Sequence, residues 1–186
     1  PTLYHDLITN NKFSAKVVKS VKKIGFAGAP MNNDLLMKLN NYFNPEVFVN
    51  HYGSSEIYTF TYCENAADKP GSAGKAGINQ IIRVIDIDTS DISQNLPTGK
   101  EGKIIASMES SESFKNYWNR PDADKESIVD GWYITGDLGY FDEEGDLNYF
   151  ISRSYDRAYY PKYKNPPASK NIIFNDLFVD WSSDIV

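Results

Sequence analysis

The sequence predicts an α/β fold in which a partial strand–helix–strand subdomain is followed by an antiparallel β subdomain. Three observations predict it. First, a β-branched run over residues 21–27 is broken by Gly28-Ala29-Pro30, and a capped amphipathic segment and a second apolar run at 47–50 follow. Second, apolar runs at 81–87 and 103–107 are joined by a longer loop that ends in Leu96-Pro97-Thr98-Gly99-Lys100-Glu101-Gly102. Third, Gly131-Trp132-Tyr133-Ile134 reads as a buried strand that stops at Thr135-Gly136-Asp137. The turn Asp142-Glu143-Glu144-Gly145 then sends the chain back as a hairpin over 147–151.

In chain order, Leu3-Tyr4-His5-Asp6-Leu7-Ile8 has helical spacing, with Thr2 as its N-cap. The helix after Pro30 is the most secure element. Asn32 and Asn33 can cap it, Asp34 sits in its first turn, and residues 35, 36, 39, 42 and 43 form one apolar stripe that Pro45 ends. The strand at 47–50 runs into a loop, His51-Tyr52-Gly53-Ser54-Ser55-Glu56. In open α/β sheets such a loop, beyond a strand end, is where ligands bind. It carries an aromatic face, a glycine, two hydroxyls and a carboxylate, groups able to stack a base, donate to phosphate and hold Mg²⁺. Tyr-Gly-Ser-Ser-Glu can equally be a capped helix start with Ser54 or Ser55 as the cap. The stretch at 69–77 reads as a glycine-rich loop, and without a hydroxyl after its lysine it is no P-loop. A short polar helix is expected over 122–129. Asp137, presented from a glycine turn where backbone can approach a ligand, is a ligand-facing candidate. The organisation expected is an α/β nucleotide-binding part at 1–68, a β-rich part at 69–157 and an unassigned tail at 158–186.

Composition excludes several classes. With 41% hydrophobic and 14% aromatic residues, 13 of them Tyr, the chain is globular. A net charge of -6 argues against broad gripping of nucleic acid or anionic lipid. Acid concentrates at 122–146, with nine Asp or Glu against one Lys, and a basic patch holds Lys12, Lys16, Lys19, Lys22 and Lys23; both read as solvated faces. The single Cys63 rules out an internal disulfide and fits a cytoplasmic setting. No apolar run is long enough for a transmembrane segment, and the absence of an initiator Met suggests a piece of a longer chain.

Taken together, the motifs in their order resemble the adenylate-forming (AMP-binding) superfamily of acyl-CoA synthetases, luciferases and peptide-synthetase adenylation domains. They are Gly28-Ala29-Pro30; Tyr52-Gly53-Ser54-Ser55-Glu56; Leu96-Pro97-Thr98-Gly99 with Gly102-Lys103-Ile104; Tyr117-Trp118-Asn119-Arg120-Pro121; and Asp130-Gly131-Trp132-Tyr133-Ile134-Thr135-Gly136-Asp137-Leu138-Gly139. The likeness covers roughly residues 1 to 157. It implies the large-domain fold of those enzymes and a two-step reaction. A small carboxylic acid attacks the α-phosphate of ATP, releasing pyrophosphate, and the thiol of coenzyme A then takes the acyl group.

By that resemblance, the Gly28-Ala29-Pro30 backbone lies along the adenine and Tyr52 stacks on it, with His51 and Gly53 beside. Ser55 approaches the α-phosphate, Glu56 ligates Mg²⁺, Asp137 accepts the ribose hydroxyls, and Arg153 reaches the ribose or phosphate. The acid pocket would draw on Ile57, Tyr58 and Thr59. Two parts of the family pattern are absent: the Ser/Thr/Gly-rich phosphate loop and the small domain with its lysine. At the expected hinge Tyr155 stands where the family has an acid, and from Ala158 onward the resemblance ends. The chain by itself is therefore expected not to turn over. The resemblance leaves open an adenylation domain that loads a carrier-protein thiol, or a catalytically silent nucleotide-binding module.

Overall fold

The computed structural model describes residues 1–88 and 91–150. Arg153 and the tail at 158–186 lie outside the described residues. Among these, the elements are α1 (Thr2–Thr9), α2 (Ala15–Val18), β1 (Lys23–Ala27), α3 (Asn33–Phe43), β2 (Val47–Tyr52), β3 (Thr61–Cys63), β4 (Ser72–Ala76), β5 (Ile82–Ile85), β6 (Gly102–Ser107), α4 (Pro121–Ser127), β7 (Ile128–Val129), β8 (Trp132–Phe141) and β9 (Leu147–Phe150).

The strand–helix–strand unit forms as expected. The Asn32 side chain accepts the Leu35 N–H at 2.8 Å, satisfying one of the free donors of the α3 N-terminus. At its other end Asn44 adopts a left-handed conformation, φ 45°, and closes the helix onto the Asn40 carbonyl. Leu35, Leu36, Leu39 and Phe43 on one face of α3 bury against Ile24 and Phe26 of β1 and Phe48 of β2. Each fully buried apolar side chain there contributes about 1.5–3 kcal/mol. Asn32→Ala is expected to cost about 1 kcal/mol, read as a lower urea midpoint with an unchanged denaturant slope.

β1 and β2 pair in parallel, Lys23 opposite Val47 through Ala27 opposite His51. Every other pairing between these strands is antiparallel, in the order β1-β2-β3-β4-β9-β8-β6-β5, with β7 added to β8. The fold is therefore a mixed α/β sheet, parallel only where α3 crosses over. A second core lies under the antiparallel strands, built from Ile57, Phe60, Ile82, Val84, Ile104, Tyr133 and Leu147 among others.

Several local readings change. Thr2 lies inside α1, whose cap position is Pro1, and no side chain caps it. β2 does not end at Asn50: His51 and Tyr52 remain in the strand because β1 pairs one edge (at His51) and β3 the other. No helix follows Ser54 and Ser55; the Ser54 hydroxyl accepts the N–H groups of Glu56 and Ile57 in a tight turn instead. The glycine-rich stretch holds β4, whose pairing with both β3 and β9 overrides its poor strand propensity. The expected polar helix ends at Ser127, and Ile128 and Val129 join β8 as β7.

The β8–β9 hairpin turns at Asp142, whose carboxylate accepts the N–H groups of Glu144 and Asp146, with Gly145 at φ 75°. Lys69 binds the carboxylates of Glu144 and the buried Asp146, and Lys75 donates to the Glu144 carbonyl at 2.7 Å. Lys69, just before β4, and Lys75, within it, thus hold the hairpin that carries Asp137. Hydrogen bonds from its ammonium to Asp146 and then Glu144 raise the pKa of Lys69, so it stays charged.

Candidate nucleotide site

The site begins with an irregularity in β8. Between its pairings with β6, Leu138 opposite Lys103 and Ile134 opposite Ile105, β8 advances four residues while β6 advances two, so β8 bulges by two. Gly136 adopts φ 81°, a conformation that glycine takes without penalty. The Thr135 hydroxyl donates to the Ile104 carbonyl at 2.9 Å and accepts the Asp137 N–H at 3.1 Å. The strand does not stop at Thr135-Gly136-Asp137 as its sequence suggests; it continues to Phe141. The bulge turns the Asp137 carboxylate inward, where the residue is 3% exposed.

There the carboxylate meets Tyr52, whose hydroxyl donates to Asp137 Oδ2 at 2.7 Å. In sheet order, β3, β4 and β9 separate β2 from β8. A flat sheet would hold these strands roughly 19 Å apart at about 4.8 Å per step. The contact therefore records how strongly the sheet curls, bringing the end of its parallel half over its antiparallel half. Burial, and secondly the Asp137 charge, raise the Tyr52 pKa well above the usual phenol value, so Tyr52 remains a donor across the working pH range.

Tyr149 of β9 completes the inner wall. Its ring lies parallel on Tyr52, with centroids 4.0 Å apart and planes at 20°, while Phe60 packs edge-on at 5.0 Å. Burial, aided by the Asp137 charge, pushes the Tyr149 phenol up to about 12. One face of Tyr52 is thus occupied by another tyrosine of the same chain.

The outer wall is the turn after β2. Ser54 N–H donates to the Ile57 carbonyl and Phe60 N–H to the Tyr52 carbonyl, both at 2.9 Å, which closes residues 53–60 on themselves. His51 points across this turn, its Nε2 3.1 Å from the Thr59 hydroxyl and its ring tilted on Tyr58. Burial lowers the pKa of His51 against the opposing pull of Glu112, which favours the neutral imidazole. The Glu56 carboxylate accepts the Tyr117 hydroxyl at 2.8 Å.

These walls enclose a cavity of about 410 Å³, lined by Ala27, Gly28, His51, Tyr52, Gly53, Ser54, Ser55, Tyr58, Asp137 and Tyr149. That volume lies within the roughly 300–1,000 Å³ of small-molecule sites. Gly28 enters at φ 80° with open space where a Cβ would project, so its backbone is bare to the cavity. Of the residues singled out from the sequence, Gly28, His51, Tyr52, Gly53, Ser55, Asp137 and, from the expected acid pocket, Tyr58 meet there. Ala29, Pro30 and Glu56 are not among the lining residues, and Arg153 is outside the described residues. Ile57, expected in the acid pocket, is fully buried in the second core beneath the turn. Cys63 is buried as well. Tyr149 carried no individual signal in the sequence, and Tyr117 stood out only as part of the 117–121 motif, with no role of its own. One tyrosine in a chain with 13 is uninformative until the sheet curls it against a partner.

The cavity lies beyond the end of a parallel strand pair, the place where open α/β sheets bind ligands, and its largely apolar wall carries the hydroxyls of Tyr52, Ser54, Ser55, Tyr58 and Tyr149 and the carboxylate of Asp137. Comparison with known proteins goes further: a profile for AMP-binding enzymes matches residues 1–118, and the chain belongs to that family, the adenylate-forming superfamily. It is 32% identical over 145 residues to a 4-chlorobenzoate–CoA ligase of Arthrobacter sp., covering 78% of this chain and 27% of that protein. It is 32% identical to the mitochondrial acyl-coenzyme A synthetase ACSM3 of Pongo abelii, covering 84% of this chain and 26% of the relative. Among solved structures, O-succinylbenzoate coenzyme A synthetase of Bacillus subtilis in complex with ATP and magnesium ion superposes with a TM-score of 0.65 at 26% identity, over 82% of this chain and 30% of the other. Apo MatB of Rhodopseudomonas palustris gives 0.70 at 28% identity, over 84% of this chain and 30% of the other. The chain spans about a quarter to a third of these relatives.

Proposed function

We propose that this chain is the adenine- and ribose-binding part of an ATP-dependent acyl-CoA synthetase that activates a small carboxylic acid. The observation that carries the reading is the Tyr52–Asp137 hydrogen bond on the wall of one nucleotide-sized cavity, joining the aromatic residue of one motif to the carboxylate of another 85 positions away. In this reading residues 1–68 supply the base side and residues 69–157 the ribose side, with 158–186 unassigned.

Asp137 has two acceptor oxygens, suited to a pair of vicinal ribose hydroxyls. The Gly28 backbone, bare of a side chain and facing the cavity, lies along the base with Ala29 and Pro30 leading away from it. Ser55, exposed at the cavity mouth, donates to the α-phosphate, and Arg153 reaches the ribose or phosphate. His51 and Gly53 shape the turn beneath them. In-line attack of a carboxylate on phosphorus needs alignment and charge neutralisation rather than a covalent catalyst. The chain's part is to hold the nucleotide so that the α-phosphate faces the acid.

Mg²⁺ fits this donor set only together with a nucleotide. Among the described residues no three metal-ligating side chains converge, but one carboxylate plus substrate phosphates is a usual magnesium environment. Glu56 is that carboxylate; the ion would neutralise phosphate charge. Coenzyme A is the proposed acceptor thiol, since the ligases this chain resembles are named for it. Among the described residues no helix is long and apolar enough to cross a membrane. A cytoplasmic setting is proposed from the lone, buried Cys63.

The deciding experiment is ATP–pyrophosphate exchange by the full-length protein across a panel of aliphatic and aromatic acids. Exchange with one class identifies the substrate; no exchange with any acid at saturating MgATP overturns the synthetase reading. In this reading the base takes the face of Tyr52 that Tyr149 covers in this structure, so base stacking exchanges with the Tyr149 stack. Such stacks contribute about 0.5–1.5 kcal/mol beyond burial. Tyr149→Leu is therefore expected to tighten AMP binding up to about tenfold, measured by calorimetry on the full-length protein.

A further inference from the structure

The segment between β6 and α4 is joined to the turn at 53–60 at three points. Ile57 and Ser113 form an isolated antiparallel bridge, in which Phe114 N–H donates to the Glu56 carbonyl at 2.7 Å. Thr59 N–H donates to Glu112 Oε2 at 2.9 Å. The Tyr117 hydroxyl donates to Glu56 Oε1 at 2.8 Å. Only the last touches the Glu56 carboxylate.

Tyr117 is itself fixed from behind. Its N–H donates to Asp124 Oδ1 of α4 at 2.8 Å, and its ring packs edge-on against Phe114 at 4.8 Å. Asn119, at φ 52°, reverses the chain just before α4 begins at Pro121. The helix thus holds the Tyr117 backbone and Phe114 packs on its ring, while its hydroxyl donates to the Glu56 carboxylate. A carboxylate rotates freely about its last bond unless a donor pins one oxygen, and a pinned oxygen fixes the direction of the other acceptor positions.

We propose that Tyr117 is a positioning residue that orients the Glu56 carboxylate toward a nucleotide-bound divalent cation, an inference that rests on the metal role given to Glu56 above. It gives the Tyr117-Trp118-Asn119-Arg120-Pro121 motif a task at the site, through one hydroxyl.

The test uses the full-length protein with Mn²⁺ as a probe, its binding in the presence of ATP followed by water-proton relaxation, and no turnover is needed. Tyr117→Phe keeps the ring and removes the hydroxyl. It is expected to raise the half-saturating Mn²⁺ concentration about tenfold, the low end for loss of a partner behind a metal ligand. Glu56→Gln is expected to raise it further, and adding Tyr117→Phe to Glu56→Gln is expected to change nothing more, because the hydroxyl acts only through that carboxylate. If Glu56→Gln weakens Mn²⁺ binding and Tyr117→Phe does not, the positioning role is overturned while the metal role of Glu56 stands. If the two effects add in full, Tyr117 acts through packing and the proposal is likewise overturned. If Glu56→Gln leaves Mn²⁺ binding unchanged, both the metal role and this inference fall.

Discussion

Replacing Asp137 with alanine is expected to weaken AMP binding by the full-length protein by about 2 kcal/mol or more, roughly thirtyfold. The carboxylate is nine-tenths and more withdrawn from water, faces the cavity and holds the Tyr52 hydroxyl. A charge-assisted pair of hydrogen bonds to ribose is worth most in such a place, since water competes poorly there. Stability should change less than binding. Losing Asp137 leaves the buried Tyr52 hydroxyl without its acceptor, a cost of about 1–3 kcal/mol, but it also removes the cost of keeping a negative charge out of water. The two terms oppose each other, whereas for the bound nucleotide nothing offsets the loss. Calorimetric titration with AMP beside a urea melt separates them. An AMP affinity within twofold of the parent would remove Asp137 from the ribose site.

Gly53→Ala is expected to damage the fold and the site together. A Cβ on Gly53 would lie 1.8 Å from the Tyr58 carbonyl oxygen and 2.7 Å from its carbon, contacts no side chain can tolerate. Backbone on the far side cannot easily give way. The turn is closed by the Ser54-to-Ile57 and Phe60-to-Tyr52 hydrogen bonds and rests on Ile57 and Phe60, both fully buried. Overpacking a well-filled site costs about 1–3 kcal/mol when side chains can adjust, and more when backbone must; about 3 kcal/mol is expected here, a large share of a domain's total stability of about 5–15 kcal/mol. Thermal melting should fall and the cavity should lose its outer wall. Gly28→Ala is the control, since a Cβ there meets nothing within 4 Å and only the left-handed backbone, φ 80°, is strained. That variant is expected to lose about 1 kcal/mol, and an equal loss in both would mean that the 53–60 turn is softer than its contacts indicate.

Where a signal lived in a few neighbouring residues, the order of amino acids alone determined the outcome. Asn32 before an apolar stripe specifies α3, short apolar runs specify β5 and β6, and Asp142 to Gly145 specifies the hairpin, because caps, buried strands and turns are local chemistry. The motif residues on the cavity were legible for the same reason, each sitting beside a glycine or at a strand end. Only the tertiary structure decided that a glycine-rich stretch becomes β4, that β8 runs on through a bulge, and that Tyr149 covers Tyr52 while Tyr117 holds Glu56. Those outcomes depend on hydrogen bonds and ring contacts between residues as many as 97 apart in the chain, Tyr52 to Tyr149 being the longest. Such contacts exist only once the sheet has curled, and no window along the sequence contains both partners.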